Sequence, residues 1–443
     1  MEEDRPRFLP DDVLEGVLRR LAPRSLAVSR GVCRQWRAVA DERCALRTDL
    51  LPVKLGRIFL DLGYEPAPPE LFLRPSMAPR IAGGVLRSYV PREHIWDLIS
   101  IVHCCNGLLL LFEGWVVNPA TRECLRLPQW PTEPTKGFAG VDNAYLAFDP
   151  TVSPHFDVIL FQDPDCNDKF LEGSEWPPSP WMVCVYSSRT GRWDDRLFTR
   201  EWGPAGTLAE VRSAALPSYQ HDVYWHEALY VHYRFDIIIR ITLSDDKYEI
   251  IRLPVGINTA LCNQNHLGKS RNGVYLALVK SNSTDECQLQ VHVLNELGGK
   301  KEWVLKHAID LQAVISRFFQ KFDDKSEEPF LQDDSYCQGN SEGSIVKNDL
   351  DWDSDDDDAI HIENRDTKCF YGYSQIFGFH PYKEIIFLHL LDLRVVAYHL
   401  NCLKVQDLGE LQMHYSSDKI DTAFIYTPCW TGELSGMMNK KVI

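Results

Sequence analysis

A short helical module ahead of a large all-β body, an α+β multidomain chain, is the architecture that this sequence predicts. Three observations point to it. Apolar residues recur at helical spacing between residues 8 and 47; from about residue 52 they gather in short β-branched and aromatic runs between turn residues; and a strand-turn-strand segment recurs faintly along that second part. The expected division is 1–51 and 52–443. With 443 residues, 44% of them hydrophobic, the chain can bury a substantial core in more than one structural unit.

Within FLPDDVLEGVLRRLAP, Val13, Leu14, Val17, Leu18 and Leu21 fall on one stripe of a helix. Pro10 followed by Asp11 and Asp12 suits its start, with carboxylates at the positive end of the dipole. Pro23 breaks this helix and opens a second carrying Leu26 and Val28, and Gly31 marks a turn before Val32, Trp36 and Val39 continue the apolar face. That makes three expected helices. Some forty residues rarely fold stably alone, so the Leu, Val and Trp stripe is expected to need a partner, with tryptophan the kind of residue that anchors one.

The remainder reads as strands, as in GLLLLFEGWVVNPATREC (107 to 124), YLAFDPTVSPHFDVILF (145 to 161) and WHEALYVHYRFDIIIRITL (225 to 243). The recurring segments are VVNPATRECLRLP (116 to 128), VYSSRTGRWDDRL (185 to 197), ITLSDDKYEIIRLP (241 to 254), VHVLNELGGKKEWVL (291 to 305) and VAYHLNCLKVQDLG (396 to 409). Such recurrence suggests a propeller-like body of about six to eight blades, with a pair of β-sandwiches as the other reading. Residues 321–367 are acidic and poor in aliphatic side chains, and are expected to form a disordered insertion.

Composition narrows the function. The formal charge is -16, yet sixteen Asp and Glu against three basic residues between Asp323 and Asp366 account for -13 of it, leaving a near-neutral remainder that makes no case for nucleic acid. The charged amino terminus MEEDRPR is not a secretory signal, and Asp392 and Arg394 interrupt the most hydrophobic late window, so no membrane association is expected. Thirteen scattered cysteines without a C-x-x-C pair read as buried thiols in a reducing compartment, and neither a metal site nor a cofactor is expected.

Several motifs fail inspection. Gly339-Asn340-Ser341-Glu342-Gly343 has the G-x-S-x-G spacing but polar flanks where a nucleophile elbow needs a strand and a helix. Asp351, Asp353 and Asp355 alternate as in a calcium loop, but Asp356 and Ile362 stand where Gly and Glu are required. His226-Glu227 begins an H-E-x-x-H pattern that Tyr230 ends, in an apparent strand; His103, Cys104 and Cys105 read as strand core. Ser354, in DWDSDDDD, is a candidate acceptor for an acid-directed kinase.

LPDDVLEGVLRRLAPRSLAVSRGVCRQWRAV (9 to 39) resembles the F-box, at Leu9, Pro10, Asp12, Val13, Leu14, Val17, Leu18, Arg20, Leu21, Ser25, Leu26, Val32, Cys33, Trp36 and Arg37. Gly16 stands where the family commonly carries Glu, and the usual proline is displaced by one to Pro23. The stretches HCCNGLLLL, WVVNPATRECLRLP and YLAFDPTVSPHFDVILF resemble the β-rich domain that follows the F-box in plant, especially grass, families. The resemblance implies a non-catalytic substrate receptor of a Skp-cullin-F-box ubiquitin ligase. The adaptor would meet Leu9, Pro10, Val13, Leu14, Val17, Leu18, Leu21, Leu26, Val32, Cys33 and Trp36, while the β domain binds a target protein, in the cytoplasm or nucleus. A β domain that reads a small molecule or glycan, or an F-box protein that acts outside a ligase complex, is the alternative.

Overall fold

The computed structural model describes residues 9–21, 29, 32–40, 57–61, 70–72, 100–112, 114–131, 143–161, 173–202, 206–213, 222–233, 237–254, 262–281, 287–296, 301–316, 360–361, 374–390, 394–411, 420, 422–429 and 434. Of the three expected N-terminal helices, two fall there, α1 (Asp11–Leu18) and α2 (Arg34–Val39); Leu26 lies outside the described residues. The Pro10 carbonyl accepts the amide protons of Val13 and Leu14 at 3.0 Å, and Asp11 and Asp12 occupy the first turn. Leu14 and Leu18 are buried against Val39 and Ala40, with Leu21 and Trp36 packed alongside. Gln35 Nε2 ties the helices by donating to the Leu9 carbonyl and Asp11 Oδ1, both at 2.8 Å. Nothing lies within 4 Å of the Cβ position of Gly16, so that departure from the family pattern costs only helix propensity, about 0.5–1 kcal/mol.

The body consists of antiparallel meanders. The first sheet runs Ile101–Cys105, Leu108–Leu111, Trp115–Asn118, Glu123–Arg126. The second runs Ala144–Ala147, Asp157–Leu160, Trp181–Ser187, Arg192–Trp202, and the third Asp222–Trp225, Ala228–Tyr233, Ile237–Thr242, Lys247–Arg252. Parallel pairing of Thr199 with Lys247 and Arg200 with Tyr248 fuses these two into an eight-stranded sheet, whose end strands also touch, so it curls into a nearly closed barrel-like layer. The fourth sheet is Cys262–Ser270, Gly273–Ser281, Cys287–Asn295, Glu302–Asp310; the fifth is Gln375–Phe379, Ile385–Leu390, Arg394–His399, Lys404–Glu410. In the sixth, Thr422–Tyr426 pairs with Arg57–Asp61, which pairs with Glu70–Phe72.

The first strand of each sheet touches the first strand of the next, and Thr422–Tyr426 returns to Ile101–Cys105, so the six form a closed circuit. A separate apolar core fills each gap between neighbouring sheets. Leu110 and Val116 meet Leu146 and Val158 between the first and second; Tyr275 and Val291 meet Ile386 and Tyr398 between the fourth and fifth. Neighbours along one strand serve opposite gaps: Ile58 and Leu60 face the fifth sheet, Phe59 the first. Middle strands are therefore buried on both faces, which is why LLLL and IIFLHL read as unbroken apolar runs. The fourth strands Arg192–Trp202 and Glu302–Asp310 are largely exposed, whereas Lys247–Arg252 is mostly buried. Polar ties also bridge gaps: buried Glu384 accepts from Tyr275 Oη, Lys306 Nζ and Asn272 Nδ2, each at 2.8 Å.

All five recurring segments fall on the third and fourth strands of the first five sheets. Paired β-sandwiches would give two cores rather than six, so that alternative is set aside. The sixth unit is invisible as a repeat because its strands come from opposite ends of the chain. The acidic insertion needs a correction at its end, where Ile360 and His361 form a strand pairing with Val405 and Lys404; the rest of 321–367, Ser354 included, lies outside the described residues. One short helix, Leu208–Ser213, lay unsignalled within the β region.

Two predictions follow from the packing. Gly107 lies at φ +91°, and a Cβ there would stand 2.5 Å from Cys429 Cβ and 2.7 Å from the Thr427 carbonyl oxygen. Gly107→Ala should therefore lower stability by about 2–5 kcal/mol, read as a fall in the urea midpoint, by combining left-handed strain with overpacking. Burial pushes His266 and His389 down to about 4 and His380 to about 3. Below about pH 6.5 the unfolded chain takes up protons that these folded sites refuse, so stability is complete above that pH and falls as pH drops towards 4. The urea midpoint should be lower at pH 5 than at pH 7, with a slope of at most about 1.4 kcal/mol per pH unit per histidine.

Candidate functional site

The expected adaptor-contact residues divide into two stripes offset by one position along α1. Leu9, Val13 and Val17, at i, i+4 and i+8, are 46%, 51% and 46% exposed, and Val32 is 61% exposed. Pro10 is exposed beside them. Leu14 and Leu18 are fully buried, Leu21 and Trp36 pack on the same small core, and Cys33 is half-buried. Leu14, Leu18, Leu21 and Trp36 thus pack between the helices, and Leu9, Val13, Val17 and Val32 remain as apolar surface. Acidic Asp11 and Asp12 stand at one end of α1, and an Arg19–Glu15 ion pair at 2.6 Å at the other.

A second feature lies in the β body. A cleft of about 570 Å³ opens where the C-terminal ends of the six first strands converge. Each sheet contributes residues at or just beyond its first strand: Asn106; Asp149, Pro150 and Thr151; Tyr224, Trp225 and His226; Lys269 and Arg271; Pro381, Tyr382 and Lys383; Thr427, Pro428 and Cys429. The turns that place them are tight. Asn106 and Gly107 have φ 46° and 91°, and His226 and Glu227 have φ 46° and 59°, the pair of positive values that a two-residue hairpin turn requires. His226-Glu227, expected within a strand, therefore forms a turn at the cleft mouth.

Hydrogen bonds hold the floor. Asn106 Nδ2 donates to the Phe148 carbonyl at 2.6 Å, and its Oδ1 accepts from Lys269 Nζ at 2.6 Å. Lys269 Nζ also reaches the Tyr224 carbonyl at 3.3 Å. Burial lowers the pKa of this ammonium, against the pull of Cys105, Asp149 and Cys104. Buried Asn118 donates to the Cys429 carbonyl at 3.0 Å, fixing the last described stretch to the first sheet. Below lies a buried pair, His103 and Asp222. Because His103 Nδ1 accepts the Leu146 amide proton at 2.9 Å, its Nε2 carries the proton donated to Asp222.

Burial pushes the Cys105 thiol up to about 12 and Cys104 higher, opposite to the shift a nucleophile needs. Tyr382 is likewise pushed up to about 12 by burial, so its hydroxyl stays protonated. Among the described residues no three His, Cys, Asp or Glu side chains gather as a metal site would need, and no helix is long and apolar enough to cross a membrane. The cleft residues were missed in the sequence because each sheet supplies only one to three of them. A weak signal was present: Phe148-Asp149-Pro150 and Phe379-His380-Pro381 repeat Phe-x-Pro at the ends of two of the first strands.

No curated protein matches the chain. Residues 7–50 match the profile of the F-box-like family. The chain therefore carries an F-box-like domain at its N-terminus, ahead of a mostly β body.

Proposed function

We propose that this protein is the target-recognition subunit of a Skp-cullin-F-box type ubiquitin ligase. The observation that carries the reading is the F-box-like match over residues 7–50 together with the exposed apolar stripe of Leu9, Val13, Val17 and Val32. F-box domains generally bind Skp-family adaptors, and a stripe of this kind on a small helical module is surface that a partner would cover. On this reading the β body is a six-bladed, propeller-like F-box-associated domain of the grass type, and it presents a target protein. The subunit performs no chemistry itself; it acts by holding a target lysine near a charged conjugating enzyme, which raises their effective concentration. It works in the cytoplasm or nucleus, without cofactor, metal, nucleic acid or membrane.

Adaptor capture tests this. Full-length protein should co-purify with a Skp-family adaptor and cullin, and Val13→Asp/Val17→Asp should lose both while its circular dichroism and melting curve stay unchanged, since both positions are exposed. Capture undiminished in that variant would refute the contact face. Leu14→Ala/Leu18→Ala should behave differently, losing about 2–5 kcal/mol per site from the helical module and with it the helix signal, because these side chains form its core.

A further inference from the structure

We propose that the cleft at the convergence of the six first strands is a binding site for an anion carried on a planar ring, a ring-borne phosphate or carboxylate. The proposal goes beyond the ligase reading and does not depend on it.

Charge is the first argument. Lys269, Arg271 and Lys383 line the cleft against one carboxylate, Asp149, in a chain whose formal charge is -16. Asp149 is occupied internally, its Oδ1 accepting from the Thr151 amide at 2.9 Å and hydroxyl at 2.6 Å. The Asp222 carboxylate beneath is engaged by His103. Among the described residues Lys269 is hydrogen-bonded only to neutral acceptors, Asn106 Oδ1 and the Tyr224 carbonyl. Exposed Arg271 forms no hydrogen bond or ion pair with the described residues. A half-buried ammonium that hydrogen-bonds no carboxylate among the described residues, beside a guanidinium with no partner among them, favours an incoming anion, and guanidinium matches phosphate or carboxylate geometry in two-point fashion.

Shape is the second. The volume of about 570 Å³ suits a small organic group or one large side chain. Its walls include Tyr224, Tyr382 and a stacked Trp225–His226 pair with centroids 4.3 Å apart, flat surfaces on which a ring can lie. The turn that carries this pair is itself costly. Where Asn106-Gly107 uses residues that accept positive φ readily, His226-Glu227 holds two ordinary residues there, at about 1–2 kcal/mol each. Backbone strain of that kind concentrates where side chains must be presented to a ligand.

The test uses the full-length chain with phenyl phosphate, phenol and inorganic phosphate as probes, titrated by calorimetry and ligand-observed NMR. Phenyl phosphate should saturate one site, with phenol and inorganic phosphate each at least about tenfold weaker, because each keeps only half of the recognised chemistry. Arg271→Gln, with an unchanged melting curve, and Trp225→Phe, which keeps a ring packed on the neighbouring core, should each weaken phenyl phosphate, the first at least about fivefold and the second by less. A phosphotyrosine peptide separates the two sources of the anion: binding tighter than phenyl phosphate assigns the site to a target side chain, and exclusion of the peptide assigns it to a free small ligand. Absence of saturation by phenyl phosphate, or wild-type affinity in both variants, overturns the proposal. Adaptor capture, measured on the same preparations, should be intact in Arg271→Gln, so failure of the anion site and failure of the docking reading are read separately.

Discussion

The β body depends on one pairing, that of Arg57–Asp61 with Thr422–Tyr426. Five residues on each side are in register, and Phe59 meets Tyr426 edge-on with ring centroids 5.4 Å apart. The strand from the start of the body has two buried faces. Ile58 and Leu60 complete the core against the fifth sheet, and Phe59 completes the core against the first. Without it, apolar faces of two sheets would open to water at once, at about 25 cal/mol for each Å² exposed. A circuit of sheets has no end to protect only when it closes, and here a single strand closes it.

The same constraint explains the composition of the remaining strands. A sheet set between two neighbours needs apolar residues on both faces, so its inner strands abandon the alternation of a half-exposed sheet. Charge is left to turns, outer strands and a few bridging networks, of which Glu384 with Tyr275, Lys306 and Asn272 is the most completely satisfied. The turns at one end of the circuit escape this demand for apolarity, and Lys269, Arg271, Asp149 and Lys383 collect there.

Much of this was legible in order of residues alone. Helical spacing near the N-terminus and strand-like runs further on announce the few helices and the mostly β body, and the five recurring segments turn out to be equivalent hairpins. What spacing could not resolve was the 100° step between adjacent helix positions. Val13 and Leu14 look like members of one stripe, yet one faces solvent and the other the α2 side chains. The closing strand RIFLD carried no local signal, since its partner lies some 360 residues away. The cleft was hidden for a related reason: six distant turns make it, none with a motif of its own.

Closure by strands from the two ends of the body also sets an order of events during synthesis. The helical module and the strand at residues 57–61 leave the ribosome well before the strand at 422–426. At roughly 5–20 residues per second, an interval of roughly 20–70 s separates them. Throughout it the nascent chain has its N-terminal module complete and its circuit open, with the faces of Ile58 and Phe59 awaiting cover. A chain built this way has its F-box-like segment long before the six-sided cleft, which exists only once the strand at 422–426 has been made and paired.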